Sequence, residues 1–278
     1  MGAIILLLVV TVGHTAPATY TLRFSDTSAR QEAVTSQDGP GVPTSVTGPE
    51  APTVEANKWL KRNGWKQVWP LKLFSGSPPL VFAGPSTRRY LRLQADNTYY
   101  IWAREIDIDP STLPMLAITW GVERFPQQAA LDVYKRNDRA IVVLVSFGPK
   151  VPSSGVLPDV PRALAFFWGE NDAVGKNYTC IQPRVGPADE RMQCNYPHVK
   201  YIALRQGEEG STHTDTVNLL DMFHQHFPEH QQQRVLPITG VSFEARSDLT
   251  KSTSSARLYS LRFAAPGGTT APVSSSTR

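Results

Sequence analysis

Long apolar segments are almost missing from this 278-residue chain. The one long apolar run, residues 3–12, is too short to span a bilayer comfortably, which excludes a protein with several membrane spans. Charge of one sign is not dominant either, since 28 Lys and Arg face 24 Asp and Glu. Apolar residues still make up 41% of the chain, so a wholly disordered protein is excluded.

The short motifs of common enzyme classes are also missing from the sequence. It contains no G-x-S-x-G, no G-x-G-x-x-G and no G-x-x-x-x-G-K-[ST]. Four histidines, His213, His224, His226 and His230, have no H-E-x-x-H pattern, and Pro228 interrupts the only helix that could align them. We therefore favour histidines at an exposed helix end over a metal site, and predict no metal.

Cysteine is scarce, with only Cys180 and Cys194 in the chain. In an exported protein such a pair is expected to form a disulfide, which stabilises by about 3 kcal/mol for a loop of this size. The alternative is two unrelated thiols. Without paired histidines nearby, the two cysteines do not predict a zinc site.

The apolar run at the N-terminus has the form of an export signal. Ala16 and Ala18 follow it at the A-x-A spacing of a cleavage site, so residues 1–18 are predicted as a signal peptide cleaved after Ala18. No Lys or Arg precedes the run, which leaves an uncleaved anchor or a buried N-terminal strand as alternatives. We expect a periplasmic or secreted protein with no transmembrane span in the mature chain.

Composition divides the rest of the chain into three parts. Residues 19–57 are predicted as a flexible linker rich in Pro, Ser and Thr, with a brief strand over 19–24. Residues 58–265 are the foldable domain, and residues 266–278 are a disordered tail.

Strand patterns dominate the foldable domain. The frequent Pro and Gly, with many Ser, Thr and Val, favour short strands joined by turns. One helix is predicted over 216–227, ending before Pro228. We therefore predict an all-β, mainly antiparallel fold, a jelly-roll-like β-sandwich with one or two short helices. The main strands are predicted over 90–94, 99–108, 115–122, 140–147, 163–168, 199–204, 238–246 and 257–263.

Three carboxylates, Glu105, Asp107 and Asp109, follow one another at strand period. Like charges on one face repel unless water, Arg, Lys or Ca²⁺ neutralises them, and we favour a solvated outer face. We predict no cofactor, with Ca²⁺ as the one ion that these acids could hold. A paired-carboxylate glycosidase using Glu105, Asp107 or Asp138 is an alternative.

Residues 58–105 combine nine Lys and Arg with two acidic residues and four tryptophans. Basic and aromatic surfaces suit anionic polymers such as acidic glycans, and in an exported protein we predict no nucleic-acid partner. The favoured interpretation is that the tryptophans are core residues and the cations form a solvated rim.

Three segments, 113–122, 136–147 and 164–168, match in order and spacing the strands of a known family. They resemble its P-x-L-x-W-x-W-x-V, (D/N)-D-x-A-x-x-(V/L)-x-V-x-F and L-x-Y-x-W motifs. The family is DUF3047, and the likeness covers about residues 65–263. The resemblance implies an exported bacterial β-sandwich, similar to carbohydrate-binding jelly rolls, with no established activity. Asp248 and Thr250 stand at the family's acidic turn, although Ser and Leu replace its other acidic or amide residues.

The function that we predict is non-catalytic binding of a glycan or another component of the cell envelope. Sugars stack on aromatic rings and hydrogen-bond at their edges, so candidate residues are aromatic and polar. The alternative functions are a structural subunit of an envelope-associated assembly and a polysaccharide-processing enzyme. For the polar residues around Asp138, the alternative to ligand binding is an ion-pair network at the rim of the sheet. The candidate ligand-binding residues are Trp102, Trp120, Asn137, Asp138, Arg139, Trp168 and Asp248.

Overall fold

A computed structural model describes residues 19–25, 51–69, 78–133, 136–152, 158–179, 196–232 and 235–267. The predicted signal peptide, Cys180 and Cys194, and all but the first two residues of the predicted tail lie outside these ranges. Signal cleavage and the disulfide therefore stay predictions. None of the described helices is both long and apolar enough to cross a membrane.

The described strands form two sheets that pack face to face. The strands of the first sheet are β1 (Thr19–Arg23), β2 (Val54–Glu55), β4 (Val81–Ala83), β5 (Tyr90–Asp96), β7 (Met115–Arg124), β11 (His213–Asn218) and β13 (Thr253–Ala264). Their order in the sheet is β11-β7-β13-β5-β4-β2, and β1 also pairs with β13.

The second sheet has the order β10-β9-β8-β12-β6-β3. All of its pairs are antiparallel except β9 with β10, so the predicted all-β, mainly antiparallel sandwich is confirmed. Two short helices accompany the sheets, α1 (Asn57–Arg62) and α2 (Leu219–His226). The strands are β3 (Trp65–Trp69), β6 (Tyr99–Ile108), β8 (Arg139–Val151), β9 (Val160–Gly169), β10 (Val199–Gln206) and β12 (Ile238–Arg246).

The main core lies between the sheets, and a second apolar cluster, which includes Val142, Leu144 and Phe167, covers the opposite face of the second sheet. Ala140 to Phe147 of β8 are buried except Ser146, as expected for a central strand covered on both sides. The aromatic side chains with less than 2% exposure anchor this core, and they include four of the tryptophans, Trp65, Trp102, Trp120 and Trp168.

Two boundaries differ from the predictions. The helix begins at Leu219 and not at 216, because residues up to Asn218 pair with β7 and the Asn218 side chain caps the helix by accepting from the Leu220 and Asp221 N–H groups. The C-terminal end of the stretch predicted as a linker also joins the sandwich, since the short β2 pairs with β4. The brief strand predicted over 19–24 is present as β1, with Leu22 and Phe24 buried beside β13.

Candidate functional site

Four of the predicted ligand-binding residues lie where β8 begins and β12 ends. Arg139 is the first residue of β8 and is paired in register with Arg246, the last residue of β12. Asn137 and Asp138 directly precede Arg139. Asp248 comes two residues after Arg246, and its Oδ1 lies 2.7 Å from Arg246 Nε. We call the polar group assembled here the Asp138 cluster; its members are Tyr99, Asp138, Arg139, Tyr201, Glu244, Arg246, Asp248 and Thr250.

The buried Asp138 carboxylate holds the turn between β12 and β13. Its Oδ2 accepts hydrogen bonds from the Thr250 N–H and hydroxyl, both at 2.7 Å, and its Oδ1 accepts from the Leu249 N–H at 3.3 Å. Arg246 Nε lies 3.7 Å from the same Oδ1. Because these oxygens are used within the fold, the side chain acts as a structural anchor for the turn.

Asp138→Ala is expected to lower the free energy of unfolding by about 2 kcal/mol, because two backbone N–H groups and a hydroxyl lose a charged acceptor. Asp138→Asn keeps one acceptor oxygen and should lose less. Asp107→Ala, an exposed change on β6, is the control and should stay within about 0.5 kcal/mol of the unchanged protein. Thermal and urea unfolding measure all three. If Asp138→Ala unfolds like the unchanged protein, the carboxylate does not stabilise the turn.

A buried ion pair forms the other half of the Asp138 cluster. Arg139 Nη2 lies 3.0 Å from Glu244 Oε1, and the two side chains are 5% and 0% exposed. The Tyr99 hydroxyl donates to Glu244 Oε2 at 3.3 Å, and the Arg139 guanidinium stacks 4.4 Å over the Tyr201 ring. Burial and the nearby Glu244 charge raise the pKa of Tyr201 to about 12, and the same two causes raise the pKa of Tyr99. Both phenols therefore stay protonated at neutral pH, and the Tyr99 hydroxyl donates to Glu244.

The three predicted tryptophans do not form a surface on which a sugar could stack. Trp102, Trp120 and Trp168 are at most 1% exposed and belong to the core between the sheets. Trp120 and Trp168 lie 6.0 Å apart between ring centroids, and the Trp120 indole donates to Asp215 at 2.7 Å. The physical reason is that each of the three tryptophans lies at an inward-facing position of its strand, where large rings fill the space between the two sheets.

Asp138 does not face Glu105 or Asp107, the other two carboxylates proposed for the enzyme alternative. Asp138 lies beside the Tyr99 end of β6, since β12 pairs Arg246 with both Tyr99 and Arg139. Glu105 is six residues farther along β6, about 20 Å away at 3.3 Å per residue. Paired glycosidase carboxylates are about 5–9.5 Å apart. Glu105 is instead solvated and 3.4 Å from Lys66 Nζ.

Asp107 and Asp109 share a recess of about 430 Å³ with the apolar residues 235–237. Asp109 accepts hydrogen bonds there from the Ser111 N–H at 2.9 Å and from its hydroxyl at 2.6 Å. Among the residues that the structure describes, the lining of the recess has two carboxylates and no other polar side chain. Within the described ranges, no three His, Cys, Asp or Glu side chains gather in a metal-binding arrangement.

The predicted histidine group is divided between two places. His213 lies on β11, where its Nε2 is 2.9 Å from Glu208 Oε2. His224 and His226 belong to the last turn of α2, and His230 packs near Phe223. Burial lowers the pKa of His226, with the Lys200 charge as a smaller cause.

A polar surface that the sequence analysis did not single out lies on the outer face of the seven-stranded sheet. Arg92, Glu123 and Arg257 point away from the core, because their strand neighbours Leu91, Val122 and Ala256 are fully buried. The side chains of the three charged residues are 22–27% exposed. We call this surface the Glu123 face; its members are Tyr90, Arg92, Glu123, Ser255, Arg257 and Tyr259.

Glu123 is the centre of the hydrogen bonds on this face. Its carboxylate accepts from Arg257 Nε at 2.8 Å, from the Tyr90 hydroxyl at 3.3 Å and from the Ser255 hydroxyl. Arg92 Nε lies 3.7 Å from Glu123 Oε2, and Arg92 Nη2 donates to the Tyr90 hydroxyl at 3.1 Å. Three adjacent strands, β5, β13 and β7, thus fix one connected set of donors and acceptors.

Electrostatics keep the Glu123 carboxylate ionised. Burial alone would raise its pKa, but the hydrogen bonds from Ser255 and Arg257 and the charges of Arg257 and Arg92 outweigh burial and lower the pKa. Its contribution to stability is therefore present above the ordinary glutamate pKa and is lost as the pH falls through the lowered value. At neutral pH the face carries a fixed negative centre between two arginines.

Only part of the Glu123 face could have been predicted from the sequence. Arg92 lies in a segment whose alternation places it outward, and it belongs to the basic and aromatic stretch 58–105. Glu123 and Arg257 come from two other strands, and only the order β7-β13-β5 brings them beside Arg92. Trp65 and Trp102 of that stretch are core residues, as the favoured interpretation expects, but Arg89 is only 7% exposed and so does not belong to a solvated rim.

Comparison with solved structures finds weak similarity to glycan-degrading enzymes. The xyloglucanase domain of NopAA from Sinorhizobium fredii, in complex with cellobiose, is 12% identical, with a TM-score of 0.34 over 73% of this chain and 90% of that one. A cellulase derived from Cel12A of Rhodothermus marinus is 10% identical, with a TM-score of 0.32 over 68% and 88%. Endoglucanase 3 of Trichoderma harzianum, from family GH12, is 10% identical, with a TM-score of 0.29 over 78% and 98%.

Comparison with curated proteins finds no match. The model of one protein family, described as a protein of unknown function (DUF3047), matches residues 80–262, from the residue before β4 to within β13. The matched range contains most strands of both sheets, the Asp138 cluster and the Glu123 face. The chain belongs to the DUF3047 family.

Proposed function

We propose that this protein binds a glycan of the cell envelope through the Glu123 face, without catalysing a reaction on it. The observation that carries the proposal is the connected array of partly exposed donors and acceptors that Arg92, Glu123, Ser255 and Arg257 form on adjacent strands. Export to the periplasm or the medium, predicted from residues 1–18, is part of the proposal because it brings the protein to envelope glycans.

The chemistry of the face suits a sugar. Each sugar hydroxyl both donates and accepts a hydrogen bond, so it is matched by a surface that presents guanidinium donors, a carboxylate acceptor and a serine hydroxyl together. Hydroxyl groups of Thr119 and Thr214, whose Oγ1 atoms are 2.9 Å apart, lie on the same outer face near β11, separated from Glu123 by residues 211 and 212 over Gly121. Strands hold such groups more accurately than loops do, which limits the entropy lost on binding.

The interactions within the face support a binding role by keeping its side chains in place. The Arg257 guanidinium carbon lies 5.7 Å from the centroid of the Tyr90 ring, and that ring packs 5.2 Å from the Tyr259 ring. A side chain held between a ring and a carboxylate loses little rotamer freedom when a ligand arrives. The Asp138 cluster lacks this combination, since its central carboxylates are fully buried.

The test is retention of the purified protein on a panel of polysaccharide gels and a glycan array. We expect at least one glycan to bind, and Arg257→Gln to weaken that binding by about tenfold, the effect of losing one charged hydrogen-bonding group. Lys66→Gln, a change at an exposed cation on the second sheet, is the matched control and should leave binding unchanged. Melting curves verify that both variants are folded.

Two outcomes would contradict the proposal. The first is a folded protein that no glycan on the panel retains. The second is a bound glycan whose affinity is the same for Arg257→Gln and for Lys66→Gln, which would place the binding surface elsewhere. Purification of a stoichiometric protein partner, with no glycan binding, would favour the structural-subunit alternative instead.

A further inference from the structure

A short helix joins edge strands of the two sheets at one side of the sandwich. β2 ends the strand order of the first sheet, β3 ends that of the second, and α1 lies between them in the chain. The six residues of α1 make a helix about 9 Å long, close to the distance of about 10 Å between packed sheets. The Ala56 N–H donates to the Leu80 carbonyl at 2.7 Å, and the Leu80 N–H donates to Asn57 Oδ1 at 3.0 Å. These bonds fix the start of the helix to the sandwich.

The outward side of α1 has three cations. Lys61 and Arg62 follow Lys58 by three and four positions, so the three side chains share one face of the helix. All three residues are exposed, whereas Leu60 on the other side of the helix is fully buried in the core. The only acidic residue between positions 54 and 68 is Glu55. The cations therefore form a positive surface on a helix whose apolar side is anchored.

Two exposed apolar side chains flank these cations. Val54 on β2 is 44% exposed, and Val68 on β3 is 53% exposed. Among the large apolar residues that the structure describes, Val174 is the one other with such exposure. Exposed apolar residues beside charged ones are a common feature of interaction surfaces. We call this surface the α1 edge; its members are Val54, Lys58, Lys61, Arg62 and Val68.

We propose that the α1 edge binds the surface of a bilayer that contains anionic lipids. Lysine and arginine on long, exposed stems are attracted to lipid phosphates without needing a fixed hydrogen-bonding geometry. Apolar side chains next to them enter the layer between the headgroups and the acyl chains. A soluble acidic polymer would be attracted by the same cations but would gain nothing from the two valines. The combination therefore favours a lipid surface, and it does not depend on the Glu123 face.

Binding through this edge leaves the Glu123 face open to a glycan. Only β4 lies between β2 and β5, so the edge strand is about 10 Å from the nearest strand of that face. The α1 edge points sideways from the sandwich, whereas the Glu123 face looks outward from the first sheet. A protein that lies on a membrane by its α1 edge presents the Glu123 face beside the bilayer.

The test measures co-sedimentation of the full-length protein with vesicles. We expect binding to phosphatidylcholine mixed with about one third phosphatidylglycerol, and much weaker binding to phosphatidylcholine alone. Each cation near an anionic surface contributes a factor of about five, so Lys61→Gln should weaken binding about fivefold and the triple change of Lys58, Lys61 and Arg62 to Gln about a hundredfold. Lys150→Gln, at an exposed cation of β8, is the matched control for Lys61→Gln and should bind like the unchanged protein. Melting curves verify that all variants are folded.

A second variant distinguishes a bilayer from a soluble polyanion. The double change Val54→Ser and Val68→Ser keeps every charge and should weaken vesicle binding about tenfold, because apolar area is no longer buried in the lipid. Binding to soluble polygalacturonate, measured in parallel by affinity electrophoresis, should be the same with and without the two serines.

Three outcomes would overturn the lipid assignment. The first is equal binding to anionic and neutral vesicles, or binding to neither. The second is equal affinity of Lys61→Gln and Lys150→Gln for anionic vesicles. The third is unchanged vesicle binding in the double serine variant, since the edge would then recognise negative charge alone. Retention on the glycan panel is measured separately, so failure of this inference leaves the proposed function standing.

Discussion

Glu244→Ala is expected to lower the free energy of unfolding by about 3–5 kcal/mol, because it removes the partner of a buried cation. Arg139 is 5% exposed and is bound to Glu244 at 3.0 Å on the side of the sheet that faces away from the core. Burial alone would lower the pKa of Arg139, but the Glu244 charge together with smaller contributions from Tyr201, Tyr99 and Asp138 outweighs burial and raises the pKa, so the guanidinium stays charged. Alanine would leave that charge without its anion and would also remove the acceptor of the Tyr99 hydroxyl.

Urea unfolding measures the Glu244→Ala effect, and two further variants make it specific. The double change Arg139→Met and Glu244→Leu removes both charges and should recover most of the lost stability, since apolar residues often replace a buried pair without loss. Glu105→Ala, an exposed change on neighbouring β6, should stay within about 0.5 kcal/mol of the unchanged protein. A Glu244→Ala protein as stable as Glu105→Ala would show that the buried pair does not stabilise the fold.

Trp168→Ala is expected to cost a similar amount, about 3–5 kcal/mol, as for other large buried aromatic side chains. The Trp168 ring is fully buried, and its Nε1–H donates to the Gly207 carbonyl at 2.6 Å. Trp120 contacts it from β7 and Arg205 stacks 5.5 Å from its centroid. The alanine variant would leave a cavity and an unpaired carbonyl at the point where the chain passes from β10 to β11.

Trp168→Phe is the matched variant, because it keeps an aromatic ring while removing the indole donor. We expect it to lose about 1–2 kcal/mol, less than Trp168→Ala, in the same unfolding titration. Glycan binding is then measured on the folded Trp168→Phe protein and should be unchanged. Full stability of Trp168→Ala combined with loss of glycan binding would falsify the core role and support the sugar-stacking role that its sequence suggests.

Much of the fold is readable from the sequence because its long strands are strongly patterned. The predicted segments 99–108 and 238–246 coincide with β6 and β12, because residues of the core between the sheets recur at every second position along them, as Tyr100 and Trp102 do in β6 and Val241, Phe243 and Ala245 do in β12. The short strands β2 and β4 carry no such signal, because two or three residues are too few to show a period. They become strands through their pairing partners.

The candidate site is less readable, for two physical reasons. A tryptophan serves equally well as a core residue or as a surface on which a sugar stacks. Only the direction in which its side chain leaves the strand distinguishes the two roles, and Trp120 points into the core. The Glu123 face depends on three strands that are distant in sequence, so no local pattern links Glu123 to Arg92 and Arg257. Asp138 shows the opposite case, where a polar residue next to a strand attracts attention but its oxygens are used within the fold.

The position of β13 determines when this protein can fold during its synthesis. β13 is the last of the described strands, yet it lies inside the first sheet, between β7 on one side and β5 and β1 on the other. A nascent chain that has not yet released β13 from the ribosome cannot join β7 and β11 to the rest of that sheet. The closing contacts link residues more than 200 positions apart, such as Leu22 with Leu261, so assembly is expected to be slow and to follow translation.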